Sequence, residues 1–188
     1  MESAEHLLRV LNLKNRGIQV LLWESKTDLV RALLVLKAAL DGFPDVPVLL
    51  PSNQVALQRF SIELYENVDQ SAPIPRRFLL VPQASAESVG AWLNGWRQRL
   101  AASPGTVVVI RRADYAALCR RAPDLMSFAH SDVHDATGLL PLLDCNAVGR
   151  LPDRLPSAWN EELHALPGEI PAPEDIADWN EQLKRHAG

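Results

Sequence analysis

Apolar and polar positions alternate in blocks along residues 17–128, and this pattern predicts strands that alternate with helices. Short, nearly continuous apolar runs between turn residues are typical of strands buried on both faces of a parallel sheet. Longer segments with a capping residue at one end and glycine or proline at the other predict helices. The runs that predict strands are "IQVLLWE", "VPVLLPS", "RRFLLVPQ" and "TVVVIRR".

Each of these runs is followed by a segment that predicts a crossover helix. The first, "SKTDLVRALLVLKAALDGF", is apolar nearly all round in its middle, so we expect this helix to be deeply packed. The later segments are "NQVALQRFSIELYENVDQ", "SAESVGAWLNGWRQRLAAS" and "ADYAALCRRA", the last of which we expect to stop at Pro123. Helices of this length between strands require right-handed crossovers. The sequence therefore predicts an α/β fold: an open, three-layer, doubly wound, mostly parallel sheet of about four or five strands, Rossmann-like or P-loop-like.

The pattern changes after Leu143, where prolines separate short polar segments. Two of these segments, "SAWNEELHAL" and "PEDIADWNEQLKRHAG", predict brief helices. We therefore divide the chain into an α/β domain at 1–143, which begins with an N-terminal helix, and a Pro-rich C-terminal tail at 144–188. A tryptophan in such a tail exposes apolar area unless it docks. Trp159 and Trp179 are thus candidate contact residues, for a partner protein or, as the favoured alternative, for their own domain.

Composition and charge narrow the function classes. The 188 residues are 47% hydrophobic and carry a net charge of −4. Arg111 and Arg112 come closest to a basic patch, so a nucleic-acid partner is not expected. Cys119 and Cys145 lack the spacing of a zinc site or a disulfide framework, which favours a reducing cytoplasmic location. The N-terminal residues lack a signal-peptide pattern and no apolar stretch is long enough to span a bilayer, so no membrane partner is expected.

The polar residues that follow the predicted strands are candidate ligand-binding residues, because open parallel sheets bind ligands beyond the carboxyl ends of their strands. They are Ser25, Lys26, Thr27, Ser52, Asn53 and Gln83. A phosphate-binding loop needs glycine for close backbone approach, and the first turn, "WESKTD", has none. An ordinary strand-to-helix turn is therefore favoured over a nucleotide site, and we expect no bound cofactor.

The segment "FAHSDVHDA" is a candidate metal site. His130 and His134 are four residues apart, so on a helix they would share a face and could chelate zinc, with Asp132 and Asp135 completing or orienting the ligands. No third ligand on a rigid element is evident nearby. A polar connection between the last helix and the tail is the favoured interpretation, and a metal-dependent hydrolase is a remaining alternative.

The segment "PGTVVVIRRADYAALCRRAPDLMSFAHSDVHDATG" resembles the later part of the nucleotide-binding domain of STAND-type bacterial signalling NTPases. The resemblance covers residues 85–138 and includes a late apolar strand, a short helix and the residues Ala122-Pro123-Asp124 and Ser127-Phe128. Met126 stands where that family tends to have Trp, and Ala129 where it tends to have Arg. "WLNGWRQRLAAS" resembles the helix that precedes the strand.

The resemblance implies a family member that has lost hydrolysis. The chain has no Walker A motif, and "FLLVPQ" ends without the acidic pair that would hold Mg²⁺. The resulting prediction is a non-catalytic regulatory or protein-interaction module, a pseudo-NTPase in a bacterial signalling or antiviral defence system. Its partner would be an effector or an ATPase, and a homodimer through the tail or the N-terminal helix is compatible with this prediction. The alternatives are a nucleotide-binding protein or weak NTPase and, second, the metal-dependent hydrolase.

Overall fold

The computed structural model describes residues 17–39, 48–49, 57–59, 61–62, 77–82, 86–102, 106–128, 133–137 and 154–187. The strands are β1 (Ile18–Trp23), β2 (Val48–Leu49), β3 (Arg77–Val81), β4 (Thr106–Arg111) and β5 (Val133–Asp135). The helices are α1 (Lys26–Ala39), α2 (Ala86–Ala102), α3 (Tyr115–Arg121), α4 (Pro123–Phe128), α5 (Ser157–His164) and α6 (Pro173–Ala187). Residues 57–59 and 61–62 are also helical, and Arg112–Asp114 form a 3-10 turn.

The strands form one parallel sheet in the order β2-β3-β4-β1-β5. β1 lies between β4 and the edge strand β5, with Ile18 opposite Thr106 of β4 and Val20 opposite Val133 of β5. Helices cover both faces of this sheet. The predicted three-layer α/β fold with a doubly wound parallel sheet is therefore confirmed.

The direction of each crossover decides which face its helix covers. The chain moves one way along the sheet from β1 to β2, and the opposite way from β2 through β3 and β4 to β5. Right-handed crossovers that run in opposite directions place their helices on opposite faces. Accordingly α1 packs on one face, here named the α1 face, and α2, α3 and α4 pack on the other, the α2 face. The helical residue Ser61 accepts a hydrogen bond from Trp92 Nε1 of α2 at 3.1 Å.

The α2 face has a core formed by alternate strand residues and by the three crossover helices. Gly90 of α2 lies so close to α3 that an added Cβ would be 2.7 Å from Arg121 Cβ. Trp92 and Trp96 stack on one another with ring centroids 6.1 Å apart and only partly buried. The buried residues of this core are Ile18, Val20, Leu22, Leu79, Val81, Val89, Leu93, Leu100, Val108, Ile110, Leu118, Ala122 and Leu125.

The α1 face is completed by the helices of the C-terminal segment, residues 154–187. One crossover helix cannot cover a whole sheet face, and α5 and α6 pack beside α1 to fill the rest. α1 is therefore buried nearly all round between Leu29 and Leu36, as its sequence predicts. The remaining core residues are Leu21, Trp23, Phe78, Leu80, Val107, Val109, Ala136, Trp159, Leu163, Leu166, Ile176 and Trp179.

The structure corrects one detail of the sequence prediction, extends a second and does not confirm a third. Residues 133–135 form an edge strand, β5, rather than a polar connection, because they pair with β1. The helix predicted to stop at Pro123 does end before it, at Arg121, and Pro123 then begins a further helix, α4, which suits a residue whose missing N–H is not needed in a first turn. The two short helices predicted in the C-terminal segment are present as α5 and α6, but a Pro-rich tail is not confirmed, because residues of both helices belong to the core of the α1 face.

Other predictions fall on residues that the structure does not describe. The N-terminal helix, the boundary between 143 and 144, and most of the predicted helix at 53–70 lie outside the described residues. Within the described parts of the chain, no helix has both the length and the apolar character needed to cross a membrane.

Candidate functional site at the carboxyl edge of the sheet

The crevice between the carboxyl ends of β1 and β4 is the topological switch point of this sheet. β1 and β4 are neighbours, but β1 leads into α1 on one face and β4 leads into α3 on the other. Open α/β sheets bind their ligands at such a point. Glu24–Thr27 follow β1, and Arg112–Asp114 follow β4.

Ser25 caps α1, so a backbone N–H at the helix N-terminus is already hydrogen-bonded within the protein. The Asp28 backbone N–H donates a hydrogen bond to Ser25 Oγ at 3.1 Å, and the Ser25 hydroxyl donates to the Asp28 carboxylate. This is a side-chain cap of the usual kind, in which an N–H of the first turn finds an acceptor. Asp28 and the exposed Glu24 add negative charge where a phosphate would need positive potential. The arrangement is unfavourable for an anion.

Lys26 is buried, and its ammonium group is held by the C-terminal segment. Nζ donates hydrogen bonds to the carbonyl oxygens of Leu166 at 2.7 Å and Gly168 at 2.8 Å. The residue is 5% exposed, and burial lowers the pKa of the ammonium. Lys26 donates two of its ammonium protons to these backbone carbonyls, and it therefore links the turn before α6 to the start of α1.

Gly168 allows this close approach. Its φ of +102° lies in the left-handed region that side chains rarely adopt, and a Cβ at this position would come 3.3 Å from Lys26 Cβ. A residue with a side chain would therefore be strained and would crowd the lysine. The conformation at Gly168 and the burial of Lys26 depend on one another.

Thr27, the third candidate of the first turn, lies at the edge of a cleft between α1 and α6. The remaining candidates Ser52, Asn53 and Gln83 lie outside the described residues. The structure thus places Ser25 in a helix cap, Lys26 in a contact between α1 and the turn before α6, and Thr27 in a separate cleft. It does not direct these three side chains toward one ligand position.

An ion-pair network connects the carboxyl ends of β1, β4 and β5. Arg112 Nε lies 2.7 Å from Glu24 Oε1, and the same guanidinium forms a hydrogen-bonded ion pair with Asp135 through Nη2. Asp135 Oδ1 also accepts hydrogen bonds from the backbone N–H and the hydroxyl of Thr137. Two carboxylates around one guanidinium leave a net negative charge beside the switch point.

The sequence offers a weak signal for this network. Arg112 belongs to the Arg111-Arg112 run at the end of a predicted strand, and Glu24 ends another. Residues at the ends of adjacent parallel strands meet at one sheet edge. Asp135 could not be placed there from sequence, because β5 is not recognisable as a strand.

The "HSDVHD" segment is not a helical chelate. His134 and Asp135 are successive residues of strand β5 and therefore point to opposite sides of the sheet. His134 is buried and donates its Nε2 proton to Gln19 Oε1 at 3.0 Å, while Asp135 pairs with Arg112. His130 and Asp132 lie outside the described residues, and among the described ones no three His, Cys, Asp or Glu side chains are grouped to hold a metal ion.

Trp159 and Trp179 both pack on their own domain. Trp159 is 2% exposed and meets Phe78 edge-to-face with ring centroids 5.9 Å apart. Trp179 is 8% exposed. Each ring also receives a cation from α1: Lys37 Nζ lies 5.6 Å from the Trp159 ring centroid and Arg31 Cζ lies 5.3 Å from that of Trp179. Both rings are largely buried in the α1-face core, so packing on their own domain, the alternative that the sequence favoured, is what the structure shows.

Comparisons with protein-family models, with curated proteins and with solved structures found no match to this chain. The resemblance to STAND-type NTPases therefore stays a prediction. Function has to be argued from the residues at the carboxyl edge and from the surfaces around it.

Proposed function

We propose that this protein is a non-catalytic α/β module that acts by binding another protein. The observation that carries the proposal is the contact of Lys26 with the carbonyls of Leu166 and Gly168. The lysine that follows the first strand would be the phosphate-binding group of a nucleotide site. In this chain two of its three ammonium protons are already donated to backbone carbonyls within the fold, and the lysine joins the start of α1 to the turn before α6.

The charges around the switch point support the same conclusion. The first turn of α1 is capped by Ser25 and carries Asp28, and Arg112 is shared between Glu24 and Asp135. A nucleotide phosphate would have to displace these interactions and would meet three carboxylates. The cost of doing so disfavours a nucleotide-binding or NTPase role at this edge.

The cellular setting that we propose comes from the resemblance to STAND-type NTPases. It is a bacterial signalling or antiviral defence system in the cytoplasm, where this pseudo-NTPase would regulate an effector or an ATPase. Loss of the Walker A glycines together with retention of the sheet is consistent with a scaffold that is kept for binding.

Native mass spectrometry of the purified chain with Mg-ATP or Mg-ADP, with phosphate release measured in parallel, tests the proposal. We expect no nucleotide adduct and no phosphate release above the background of the buffer. Lys26→Met supplies the control, because it removes the ammonium while keeping a long apolar side chain. An adduct or a phosphate release that Lys26→Met abolishes in a folded variant would overturn the proposal in favour of a nucleotide site.

A further inference from the structure

A cleft of about 410 Å³ lies between the start of α1 and α6, next to the turn that holds Lys26. Its apolar lining includes Ile176 and Trp179, and its acidic lining consists of Glu169, Asp175 and Asp178. Asp175 is partly used, since it accepts the backbone N–H of Ala172 at 3.2 Å. The cleft is open to solvent and combines an aromatic wall with carboxylates.

The excess acidity of the chain is concentrated in the C-terminal segment, which supplies the carboxylates of this cleft. Residues 154–187 contain seven acidic and three basic side chains, and the rest of the chain has equal numbers of each. The C-terminal segment thus carries the whole net charge of −4. Of the basic residues in it, Lys184 and Arg185 lie near the end of α6, beyond the residues that line the cleft.

Two of the cleft carboxylates are available to a partner. Glu169 and Asp178 are exposed, and neither forms a side-chain hydrogen bond or ion pair with any residue in the described ranges. Like charges held near one another on a fixed surface repel, and an added cation relieves that repulsion. The cleft is therefore better suited to positive than to neutral or negative ligands.

The chain itself supplies one cation to this cleft. The Arg31 guanidinium lies over the Trp179 ring, 5.3 Å from its centroid, and both residues line the cleft. Flat, delocalised guanidinium groups pack on aromatic rings and pair with carboxylates. Arg31 thus shows that a guanidinium fits beside this wall, and it forms no ion pair with Glu169, Asp175 or Asp178.

From these observations we propose that the α1–α6 cleft docks an arginine-rich segment of a partner protein, with Glu169 and Asp178 as its principal charge contacts. The inference rests on the proposed function and specifies the surface and the chemistry of the partner. A nucleic acid would be repelled by the same carboxylates, and a second copy of this chain that docked through its own C-terminal segment would present the same negative charge.

Fluorescence anisotropy with a labelled peptide of alternating arginine and glycine tests the proposal on the full chain. The matching peptide of glutamine and glycine is the neutral probe. We expect the arginine peptide alone to bind, and the double variant Glu169→Gln/Asp178→Asn to weaken it about tenfold. The variant Glu161→Gln/Glu174→Gln removes the same charge from the same segment outside the cleft and should change the affinity less than about twofold. Circular dichroism checks that each variant is folded.

A second pair of variants tests the position of the cleft independently of total charge. Arg31→Gln removes the internal cation of the cleft, so the arginine peptide should bind about threefold more tightly. Lys37→Gln removes a cation from the same helix, where it lies over Trp159 rather than Trp179, and should leave the affinity unchanged.

Three results would overturn the inference: no binding of the arginine peptide to the unaltered protein, equal weakening by the two carboxylate double variants, or equal tightening by Arg31→Gln and Lys37→Gln. Each would leave the proposed function standing, because that proposal is decided by nucleotide binding at Lys26. Conversely, a Lys26-dependent nucleotide adduct would remove the non-catalytic role even if the peptide bound at the cleft.

Discussion

The two faces of the sheet are covered in different ways. On the α2 face, the crossover helices that join consecutive strands do all of the covering that the structure describes. On the α1 face, α1 is joined by α5 and α6, which lie far from it in sequence. The difference follows from topology, because most connections of this sheet run in one direction and right-handed crossovers then crowd one face.

The comparison shows that the C-terminal helices are structural members of the domain. Trp159, Leu163 and Trp179 are as much a part of the α1-face core as the strand residues they contact. The cations of α1 add polar contacts at the rim of the same interface: Lys26 to backbone carbonyls, Arg31 to Trp179 and Lys37 to Trp159. The acidic cleft is thus built on a rigid support.

The largest effect that would test this comparison is the loss of Trp159. Trp159→Ala removes a fully buried ring from the α1 face, and we expect it to lower the free energy of unfolding by about 3–5 kcal/mol. Trp96→Ala, at a half-buried ring on the α2 face, should cost only about 1–2 kcal/mol. Urea denaturation followed by circular dichroism measures both. Equal costs for the two variants would contradict an integral role for the C-terminal helices.

A smaller effect sharpens the description of the α2 face. Gly90 and Gly95 both lie in α2, but an added Cβ would meet Arg121 Cβ at Gly90 and nothing within 4 Å at Gly95. Gly90→Ala should therefore destabilise the protein by about 1–3 kcal/mol through overpacking against α3. Gly95→Ala should stabilise it by about 0.5–1 kcal/mol, because alanine is the better helix former. Thermal melts of the two variants should move in opposite directions, and shifts of the same sign would contradict the close contact of α2 with α3.

The smallest expected effect is on how the free energy of unfolding depends on alkaline pH, which should differ between a tyrosine of the α2 face and a lysine of the α1 face. On the α2 face, burial, followed by a hydrogen bond and charge repulsion from Cys119, raises the pKa of Tyr115 to about 12 from its ordinary 10.0. The folded state keeps this proton longer than the unfolded chain, so its contribution to stability is full below pH 10 and is lost as the pH rises through about 12. In Tyr115→Phe, the decline in urea stability across this range should be shallower. An unchanged slope would contradict the raised pKa.

Lys26 on the α1 face should titrate with the opposite sign. Burial lowers its pKa in the folded state below 10.5, so the unfolded chain binds more protons there and stability rises with pH from the lowered pKa up to 10.5. Lys26→Met should remove this rise, and the same urea series measures it. The two variants together separate the alkaline response of one face from that of the other.

Strands with a strong local signal could be predicted from the sequence. Ile18–Trp23 and Thr106–Arg111 differ from their predicted bounds by one residue at most, because unbroken apolar runs are buried wherever they are placed in a parallel sheet. The deep burial of α1 was equally predictable, since a helix that is apolar all round must be covered on all sides.

Features that depend on distant partners could not be predicted in this way. Val133–Asp135 is short and mostly polar, and it becomes a strand only through pairing with β1. The residues that accept hydrogen bonds from Lys26 lie about 140 positions further along the chain, and no local pattern connects them. The candidate site was the hardest part to predict, because the role of Lys26 depends on the turn at Leu166–Gly168 and not on the residues next to it in sequence.

The contact of Lys26 with Leu166 also bears on how the protein is made. The N-terminal part of a nascent chain leaves the ribosome first. Domains whose contacts join residues far apart in sequence also fold slowly. Leu33 and Phe78 leave the ribosome well before Trp159 exists to cover them. A nascent chain that stalls before Ser157 presents an open apolar surface of the kind that chaperones bind. Among the described residues, the α1 face is consequently completed later than the α2 face, once α5 and α6 have been synthesised, and until then its exposed apolar residues favour aggregation.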